Sequence, residues 1–382
     1  MASHNHRKGS VVKVTDFITN IENKTSIPID DMVLMGKREN NKKRDFLFIN
    51  RYLGKHIATP AYRILEVFEL LYDEIAKTIS PDEKVLVVGF AETATALAQS
   101  VFHMSILKEN TNMVYYTQTT REQLVQSEAY SNITFEEEHS HATTQKLYIQ
   151  SELPEFDRVL FIEDEITTGN TILNFIAEFD KLNANTQYTV ASLLNWQNAK
   201  HRKQFEDRNI TRIALVTGEM REDAPTIVLS NEVDTVPVKV EIESSPTIIP
   251  ESDIRYGMTR DQFETWIWYM MDRYYDHSRY ITTDSIVMGT EEFMYIPMLI
   301  AQKKQLPFCA TTRSPITPAT DEDYPIYSRV ELNSAYEDGR TTYLYNYNDK
   351  VRINFITDVR PSDGFVKSVN GLSHNHRILA LN

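Results

Sequence analysis

The segment Arg158–Thr171 constrains the fold more than any other part of the sequence. Its four apolar residues, Val159–Ile162, predict a strand that is buried on both faces, as strands of parallel sheets are. The acidic residues Glu163 and Asp164 follow this strand, and a Thr-Thr-Gly-Asn-Thr turn then opens a helix. Ligands of open α/β sheets bind at the carboxyl ends of the strands. The segment therefore predicts an α/β fold with a binding site at this strand end.

The turn itself indicates a phosphate site beside a sugar site. A glycine-containing turn lets successive backbone N–H groups converge on one phosphate, helped by the positive end of the following helix. The neighbouring carboxylates can accept hydrogen bonds from two sugar hydroxyls or orient waters on Mg²⁺. The candidate phosphate-binding residues are Thr167, Thr168, Gly169, Asn170 and Thr171. The alternative is an ordinary strand–turn–helix with a threonine N-cap, which would need neither the double acid nor the threonine-rich run.

Predicted strands and helices alternate through the first half of the chain, which indicates βαβ crossovers and a parallel sheet. The predicted strands are Arg44–Asn50, Lys84–Val88, Asn112–Tyr116, Arg158–Ile162, Tyr188–Leu194 and Thr211–Thr217. The predicted helices are Ala61–Ile79, Thr93–Phe102, Thr171–Leu182 and Asn198–Asp207. A long polar stretch, Thr119–Lys146, interrupts this pattern, and loops of that length are usually functional or disordered.

Changes in composition divide the chain into four parts, and 382 residues suffice for two domains with separate cores. We predict an N-terminal segment over residues 1–42, a first α/β domain over 43–223, a connector with a helix over 224–278, and a smaller α/β domain over 279–382. The elements predicted after residue 250 are helix Asp261–Tyr275, strand Ser285–Met288, helix Glu292–Lys303, and strands Pro307–Ala310 and Arg352–Thr357.

Composition excludes several classes of protein. The net charge of −14 argues against binding to a nucleic-acid backbone, which requires Lys and Arg surfaces. No run of about 18 apolar residues predicts a membrane span, and the polar N-terminus does not resemble a secretory signal. The lone Cys309 rules out an internal disulfide and fits a reducing compartment. We expect a cytoplasmic protein without nucleic-acid or membrane partners.

The string FIEDEITTGNT, residues 161–171, resembles the 5-phosphoribosyl-1-pyrophosphate (PRPP) motif of type I phosphoribosyltransferases. The resemblance implies a Rossmann-like parallel sheet. It also implies that Glu163 and Asp164 hold the ribosyl diol and Mg²⁺, and that Thr167–Thr171 bind the 5-phosphate. Glu165 is a departure, because the family usually has an apolar residue at that position. It is either a second magnesium-orienting group or a solvated charge.

Two further strand ends match this family more loosely. The loop where the family holds pyrophosphate consists here of Gly89, Phe90, Ala91, Glu92 and Thr93. The alternative for this loop is a plain strand-to-helix turn with its threonine as N-cap. Arg121 falls where the family commonly places a cation for the pyrophosphate, a task that suits a guanidinium. A solvated surface arginine is the alternative.

Longer strings narrow the resemblance. RDFLFINRYLGKHI, GFAETATALA, FEEEHSHATTQKLY and FIEDEITTGNTILN together resemble the phosphoribosyltransferase domain of tellurite-resistance-associated gene clusters. In that family a C-terminal module follows, named TRSP for a Thr-Arg-Ser-Pro motif, and this chain has the tetrapeptide at Thr312–Pro315. The resemblance implies PRPP-dependent synthesis of a nucleotide-like metabolite from an acceptor that it does not identify.

The cluster Glu136–His141 lies in the long polar stretch and has three interpretations. In an extended segment His139 and His141 point the same way, so a mobile flap could bring either one to the leaving pyrophosphate or the acceptor. A zinc site would need further ligands, and a solvated charged loop is the third possibility. In this fold class the N-terminal segment often forms a hood over the base substrate. Lys55 and His56 either belong to such a hood or form a surface turn.

The resemblance implies a pentosyltransferase in which Mg²⁺ accompanies PRPP. Positioning and charge stabilisation would carry the rate, and no covalent nucleophile is required. A non-catalytic sensor of PRPP or a nucleotide, and an adaptor in a stress-response assembly, remain alternatives because fold alone does not separate them. The expected partners are PRPP and a small-molecule acceptor; a second copy of the chain and proteins of the same gene cluster are further candidates.

The second half of the chain resembles a degenerate copy of the first. The matching strings are Val85–Gln99 with Ser285–Gln302, Val114–Glu122 with Phe308–Ile316, and Arg158–Gly169 with Arg352–Gly364. Pro361 falls in the second phosphate turn and removes an N–H donor, so we expect no PRPP binding there. Arg313, Asp338 and Arg340 would instead bind a different anion or pack against the first domain. Chance similarity between unrelated strands is the alternative.

Overall fold

The fold is that of a computed structural model, which describes residues 12–39, 44–125, 128–136, 144–151, 155–181, 186–243, 246–247, 249–250, 252–372 and 375–380. The strands are β1 Ile18–Asn23, β2 Val33–Lys37, β3 Phe46–Asn50, β4 Thr59–Pro60, β5 Val85–Gly89, β6 Met113–Thr120, β7 Tyr130–Glu136, β8 Thr144–Gln150, β9 Arg158–Ile166, β10 Gln187–Asn195, β11 Thr211–Met220, β12 Val236–Pro237, β13 Met258–Thr259, β14 Ser285–Gly289, β15 Pro307–Ala310, β16 Arg329–Asn333, β17 Thr341–Tyr345, β18 Arg352–Thr357 and β19 His376–Ala380. The helices are α1 Val14–Phe17, α2 Ile29–Met32, α3 Ala61–Ala76, α4 Thr95–Leu107, α5 Asn170–Phe179, α6 Ala199–Glu206, α7 Arg260–Ser278, α8 Tyr295–Lys303 and α9 Asp363–Asn370.

The first domain is built on one sheet, with the order β1-β11-β10-β9-β5-β6-β8-β7 and with β13 paired to β6. The five strands from β11 to β6 in this order are parallel, and β1, β7, β8 and β13 pair antiparallel. The predicted α/β class and its parallel sheet are therefore confirmed. The sequence did not predict β1, which adds at the far edge.

Helices cover both faces of this sheet. Successive residues of β5 alternate between the faces, as the pleat requires. Val85 and Val87 belong to the core that contains α3 and α4, whereas Leu86 and Val88 belong to the core that contains α5. Because β5 is buried on both sides, its run of apolar residues reads as continuous rather than alternating.

The second domain has its own sheet, in the order β19-β18-β14-β15-β4. Its first four strands are parallel, and β4 pairs antiparallel with β15. Since β4 belongs to the segment that leads into α3, the first domain supplies an edge strand to the second. The two domains thus share backbone hydrogen bonds.

The order of elements agrees with the predicted duplication. In the first domain β5, α4 and β6 are followed by the β7–β8 hairpin and then by β9, α5 and β10. In the second, β14, α8 and β15 are followed by the β16–β17 hairpin and then by β18, α9 and β19. The sheet orders β10-β9-β5-β6 and β19-β18-β14-β15 correspond strand for strand. The hairpins differ, because β16–β17 pairs with β12 in a separate sheet.

Several predicted boundaries need correction. The polar stretch Thr119–Lys146 is not simply a loop, since β7 and β8 form a hairpin whose second strand pairs with β6. The predicted strand Arg158–Ile162 extends to Ile166 because β10 continues the pairing. The predicted helix Glu292–Lys303 begins only at Tyr295. No helix among the described residues is long and apolar enough to cross a membrane.

Helix α3 allows a direct test of this packing. Phe68 is fully buried, while Leu70 on the same helix is 40% exposed. We expect Phe68→Ala to lower the free energy of unfolding by about 3–5 kcal/mol, because it leaves a cavity. Leu70→Ala should change it by less than about 0.5 kcal/mol. Urea unfolding of both variants checks this, and equal losses would contradict the packing.

Candidate functional site

The carboxyl ends of β9, β5 and β6 lie side by side and define the candidate site. Two connections leave this part of the sheet in opposite directions. From β5 the chain runs through α4 to β6 on one side, and from β9 it runs through α5 to β10 on the other side. Such a switch in direction opens a crevice at the strand ends. Gly89, the last residue of β5, pairs with both Ile162 and Gln118, so β9 and β6 extend past the end of β5, to Ile166 and Thr120.

The turn before α5 is an open cradle of backbone donors. Gly169 has a φ of +80° as the N-cap of α5, and a Cβ there would lie 2.4 Å from Phe205 Cζ. Among the described residues, no acceptor takes the backbone N–H groups of Thr167, Thr168 or Gly169. Gln197 Nε2 donates to the carbonyl of Thr168 at 3.0 Å and holds the turn in place. The free donors and the helix N-terminus form a site suited to a phosphate.

The acidic residues extend beyond the end of β5. Pairing between β5 and β9 ends at Ile162, so Glu163 and Asp164 are half-buried next to the open end of β5. Thr93 Oγ1 donates to Asp164 Oδ1 at 2.7 Å. Burial raises the pKa of Asp164 to about 6, although this hydrogen bond lowers it. The acidic pair and the loop after β5 are thereby joined.

Glu165 is not solvated, and its partner differs from that of Asp164. Its Oε1 lies 2.8 Å from Arg44 Nη2, and its side chain is 12% exposed. The guanidinium of Arg44 lies over the rings of Phe46 and Phe48, 4.9 and 5.0 Å from their centroids. The unusual acid therefore ties the β2–β3 hairpin to the candidate site, and the interpretation as a solvated charge is wrong.

Contacts with β6 and β8 fix the loop Gly89–Thr93. The backbone N–H of Ala91 donates to Thr119 Oγ1 at 2.8 Å, and Gln145 Nε2 donates to the carbonyl of Ala91 at 3.2 Å. Thr119 Oγ1 in turn donates to Gln145 Oε1 at 2.5 Å. The peptide bond between Ala91 and Glu92 is cis. Ala94, not Thr93, is the N-cap of α4, so the alternative of a plain capped turn is wrong.

Glu92 is the buried anion of this loop. Lys55 Nζ lies 2.5 Å from its Oε1, while Arg313 Nε and Arg121 Nη1 lie 3.8 and 3.9 Å from its Oε2. Burial raises the pKa of Glu92, but these cations outweigh it and lower the pKa to about 2. A carboxylate with this many cations beside it stays ionised.

Lys55 and His56 are buried, so the interpretation as a surface turn is wrong. Lys55 Nζ also donates to the carbonyl of Glu291 at 2.6 Å, which links the two domains. Burial lowers the pKa of Lys55, while Glu92 raises it. Neither ring nitrogen of His56 has a hydrogen-bond partner in the described part of the chain, and burial lowers its pKa to about 3.

The histidine cluster lies outside the described residues. His139 and His141 fall between the end of β7 and the start of β8. The hairpin that carries them pairs with β6 next to Thr119 and Thr120. The flap, zinc and solvated-loop interpretations therefore stay as predictions.

Arg313 and Arg340 of the second domain contact acids of the first. Arg340 donates to both carboxylate oxygens of Glu122, at 2.8 and 3.0 Å, and Arg313 Nη2 pairs with the same carboxylate. Arg313 Nε lies 2.5 Å from Glu291. Burial raises the pKa of Glu122 to about 7, although both arginines lower it. Of the two predicted uses of these arginines, packing against the first domain is the one that these contacts match.

The corresponding site of the second domain is filled by its own side chains. Asp358 follows β18 and accepts hydrogen bonds from Arg255 Nη1 at 2.6 Å and from Tyr336 OH at 2.7 Å. Asp338 Oδ1 accepts the backbone N–H of Gly364 at 2.6 Å, at the start of α9. A carboxylate of the protein itself thus accepts an N–H at the start of this helix, whereas the turn before α5 leaves its donors open.

Sequence reasoning missed Thr119, Gln145, Glu122 and Arg255. All four are buried polar residues whose partners are distant in sequence. A local motif carries no signal for such contacts. One usable signal was the pair of Thr-Thr-Arg strings, which place Arg121 and Arg313 at corresponding strand ends.

Comparison with known proteins agrees with the fold. Residues 32–219 match a family described as phosphoribosyl transferase, and residues 252–365 match a TRSP domain that lies C-terminal to it. These matches define the class as phosphoribosyltransferase, a glycosyltransferase-type enzyme. The chain belongs to the phosphoribosyltransferase family that carries a C-terminal TRSP domain. The match agrees with the first resemblance drawn from the sequence.

Solved structures with similarity to the chain include three bacterial enzymes. Adenine phosphoribosyltransferase from Rhodothermus marinus is 17% identical, with 49% of this chain and 94% of that chain covered and a TM-score of 0.34. The adenine enzyme from Thermoanaerobacter pseudethanolicus is 16% identical, with 48% and 95% covered and a TM-score of 0.34. Orotate phosphoribosyltransferase from Francisella tularensis is 14% identical, with 48% and 76% covered and a TM-score of 0.31. No curated protein sequence matches the chain.

Gly169 provides a test of the cradle. Gly169→Ala would force a side chain into a left-handed conformation and against Phe205, so we expect a loss of more than about 1 kcal/mol in unfolding free energy. Gly371→Ala is the control, because Gly371 has an ordinary φ of −75°. Urea unfolding compares the two. Equal stability of both variants would mean that the turn does not hold this conformation.

Proposed function

We propose that the chain transfers the 5-phosphoribosyl group of PRPP to a base-like acceptor and releases pyrophosphate. The open backbone cradle at Thr167–Gly169, next to the Asp164 carboxylate, carries this proposal. It offers donors for a 5-phosphate and acceptors for the ribose hydroxyls within one crevice. The family already implies the reaction class, and the cradle suggests where the donor substrate lies.

The proposed binding mode assigns each loop to one part of PRPP. The 5-phosphate would take the N–H groups of Thr167, Thr168 and Gly169, as well as nearby threonine hydroxyls. Asp164 and Glu163 would orient the ribose diol. The pyrophosphate would lie against the loop Gly89–Thr93, whose backbone is already held in place by its contacts to β6 and β8.

Mg²⁺ fits this site as a partner of PRPP rather than as a resident ion. The described residues contain no group of three or more His, Cys, Asp or Glu side chains that could hold a metal. Two half-buried carboxylates, Glu163 and Asp164, offer the oxygen ligands that Mg²⁺ shares with substrate phosphates and water. When bound, the ion would neutralise charge on the phosphates.

The reaction itself needs positioning more than proton transfer. The bond between ribose C1 and the pyrophosphate oxygen breaks, its electron pair stays on pyrophosphate, and the acceptor forms the new bond to C1. Cations beside the loop Gly89–Thr93 would stabilise the charge that collects on the leaving group. The residues at the ribose end hold C1 in line with the acceptor.

The biological setting belongs to the same proposal. The sequence resemblance to proteins of tellurite-resistance-associated clusters supports a role in the synthesis of a nucleotide-like metabolite. We place the chain in the cytoplasm, where its single, buried Cys309 would stay reduced. A second copy of the chain and proteins of the same cluster are proposed partners. A sensor would bind PRPP but release no pyrophosphate with any base.

Asp164→Asn tests the assignment of the acidic pair. The substitution keeps the size and removes the charge, so we expect turnover to fall by about 10²-fold or more with little change in stability. Asp157→Asn is the matched control, because Asp157 lies just before the amino end of the same strand, where its carboxylate accepts the backbone N–H of Lys84. Pyrophosphate release from PRPP, screened over candidate bases, is the measurement. Wild-type activity in Asp164→Asn would refute the assignment.

PRPP affinity should also depend on pH through Asp164. Its pKa of about 6 lies above the value of 3.8 for an unperturbed carboxyl, so the folded protein binds this proton more tightly than the unfolded chain. Below pH 6 the carboxylate is protonated, and affinity for magnesium-PRPP should fall by up to about tenfold per pH unit. For the same reason this group adds stability as the pH falls through 6. Calorimetric titration from about pH 7 to pH 5 measures the affinity, and a pH-dependence unchanged in Asp164→Asn would contradict the prediction.

A further inference from the structure

The two domains meet through corresponding loops. The loop Gly89–Thr93 follows the first strand of one copy, and Thr290–Phe293 follows the first strand of the other. Thr95 Oγ1 donates to the carbonyl of Glu292 at 2.9 Å, across the boundary. The interface therefore places the crevice of the first domain directly against the second domain.

The contacts across this boundary are reciprocal. The backbone N–H of Arg121 donates to Glu292 Oε1 at 2.9 Å, and the backbone N–H of Arg313 donates to Glu92 Oε2 at 3.4 Å. Each of these arginines follows the second strand of its copy, and each acid lies in the loop after the first strand of the other. The arrangement brings Arg313 to the loop of the first domain.

Guanidinium groups from both domains converge on one carboxylate oxygen. Arg121 Nη1 lies 3.9 Å from Glu92 Oε2, and Arg313 Nε lies 3.8 Å from the same atom. Each of the two arginine side chains is 13% exposed, so neither is fully enclosed by the protein. A pyrophosphate held by the loop backbone would come within reach of both guanidinium groups, which bind phosphate oxygens through charge-assisted hydrogen bonds. Arg313 would use N–H groups other than those already paired with Glu291 and Glu122.

Within its own domain Arg313 pairs with Glu291 at 2.5 Å, and the described residues of that domain leave no anion site open beside α9. Asp338 already accepts the N–H of Gly364 at the start of α9, and Arg255 already neutralises Asp358. The second domain thus carries an arginine after its second strand, while the start of α9 is occupied by its own carboxylate. An anion bound by Arg313 in addition to its acid partners would therefore lie on the first-domain side.

We propose that Arg313, the arginine of the Thr-Arg-Ser-Pro motif, binds the pyrophosphate group in the site of the first domain. The inference rests on the proposed function, because the pyrophosphate belongs to PRPP. Arg313 would act together with Arg121, one guanidinium from each domain, and would hold the negative charge left on the oxygen when its bond to C1 breaks. The second domain thereby completes the active site instead of forming a second one.

The test separates the two ends of the substrate. Arg313→Met should weaken binding of inorganic pyrophosphate with Mg²⁺ by about 10- to 100-fold, as expected for a lost charge-assisted contact. It should leave the affinity for ribose 5-phosphate unchanged, because that group would bind at the cradle before α5. Arg313→Lys should bind pyrophosphate with an affinity between those of Arg313→Met and the wild type. Isothermal titration calorimetry measures both ligands.

Arg329→Met is the matched control. Arg329 is a buried second-domain arginine that also pairs with an N-terminal acid, Glu39 at 2.7 Å, but it does not contact the loop Gly89–Thr93. We expect it to bind both ligands like the wild type. Equal pyrophosphate affinity in Arg313→Met and the wild type would overturn the proposal. Parallel loss of both ligands in Arg313→Met would do the same, since it would indicate a purely structural role.

A measurement on the wild type covers the case in which Arg313→Met does not fold. Pyrophosphate with Mg²⁺ should protect Arg313 from dicarbonyl modification, while the exposed Arg63 on α3 is modified at an unchanged rate. Peptide mass spectrometry reads both sites. Modification of Arg313 at the same rate with and without ligand would overturn the proposal. A wild type that binds neither PRPP nor pyrophosphate would instead refute the proposed function itself.

Discussion

The buried carboxylate of Glu92 is the interaction on which the rest of the arrangement depends. Its cations come from three parts of the chain: Lys55 from the segment after β3, Arg121 from the end of β6, and Arg313 from the second domain. A buried charge is tolerated only when it is paired, and removing one partner of such a pair typically costs about 3–5 kcal/mol. This constraint fixes the loop, the N-terminal hairpin region and the second domain relative to one another. The geometry of the candidate site is therefore a property of both domains together.

The two copies show how one fold can keep or close a binding site. Both place an aspartate just beyond the point where the third parallel strand stops pairing with the first, after Ile162 and Ile356, and a helix follows. In the first copy Thr93 donates to Asp164, and the turn before α5 leaves its N–H groups free of described acceptors. In the second copy Arg255 and Asp338 occupy both positions. In the second copy, side chains of the protein provide the charged partners that a ligand would otherwise provide. The second site therefore needs no bound ligand for stability.

Much of the fold and the core of the candidate site could be predicted from the sequence, because their signals are local. The apolar run of β9, the acids after it and the glycine turn are adjacent in sequence, and the structure brings them together with the loop Gly89–Thr93 as the parallel sheet requires. The role of Lys55 and the partner of Glu165 could not be predicted, because Glu291 and Arg44 are distant in sequence. Strand β1 was missed for a related reason. It lies at a sheet edge, where alternating exposure in a polar segment gives a weak pattern.

The dependence on both domains also bears on why the two domains occur in one chain. The edge strand β4 of the first domain pairs with β15, and Lys55, four residues earlier, joins Glu92 to the carbonyl of Glu291. Separating the domains would break the backbone hydrogen bonds between β4 and β15 and the contact of Lys55 with Glu291. It would also leave Glu92 without Arg313. In an isolated first domain, the loop Gly89–Thr93 would keep its contacts to Gln145. It would lose one cation and gain an exposed acidic surface, which disfavours a polyanionic ligand. A covalent link keeps Arg313 at high effective concentration next to the loop, which favours having both domains in one chain.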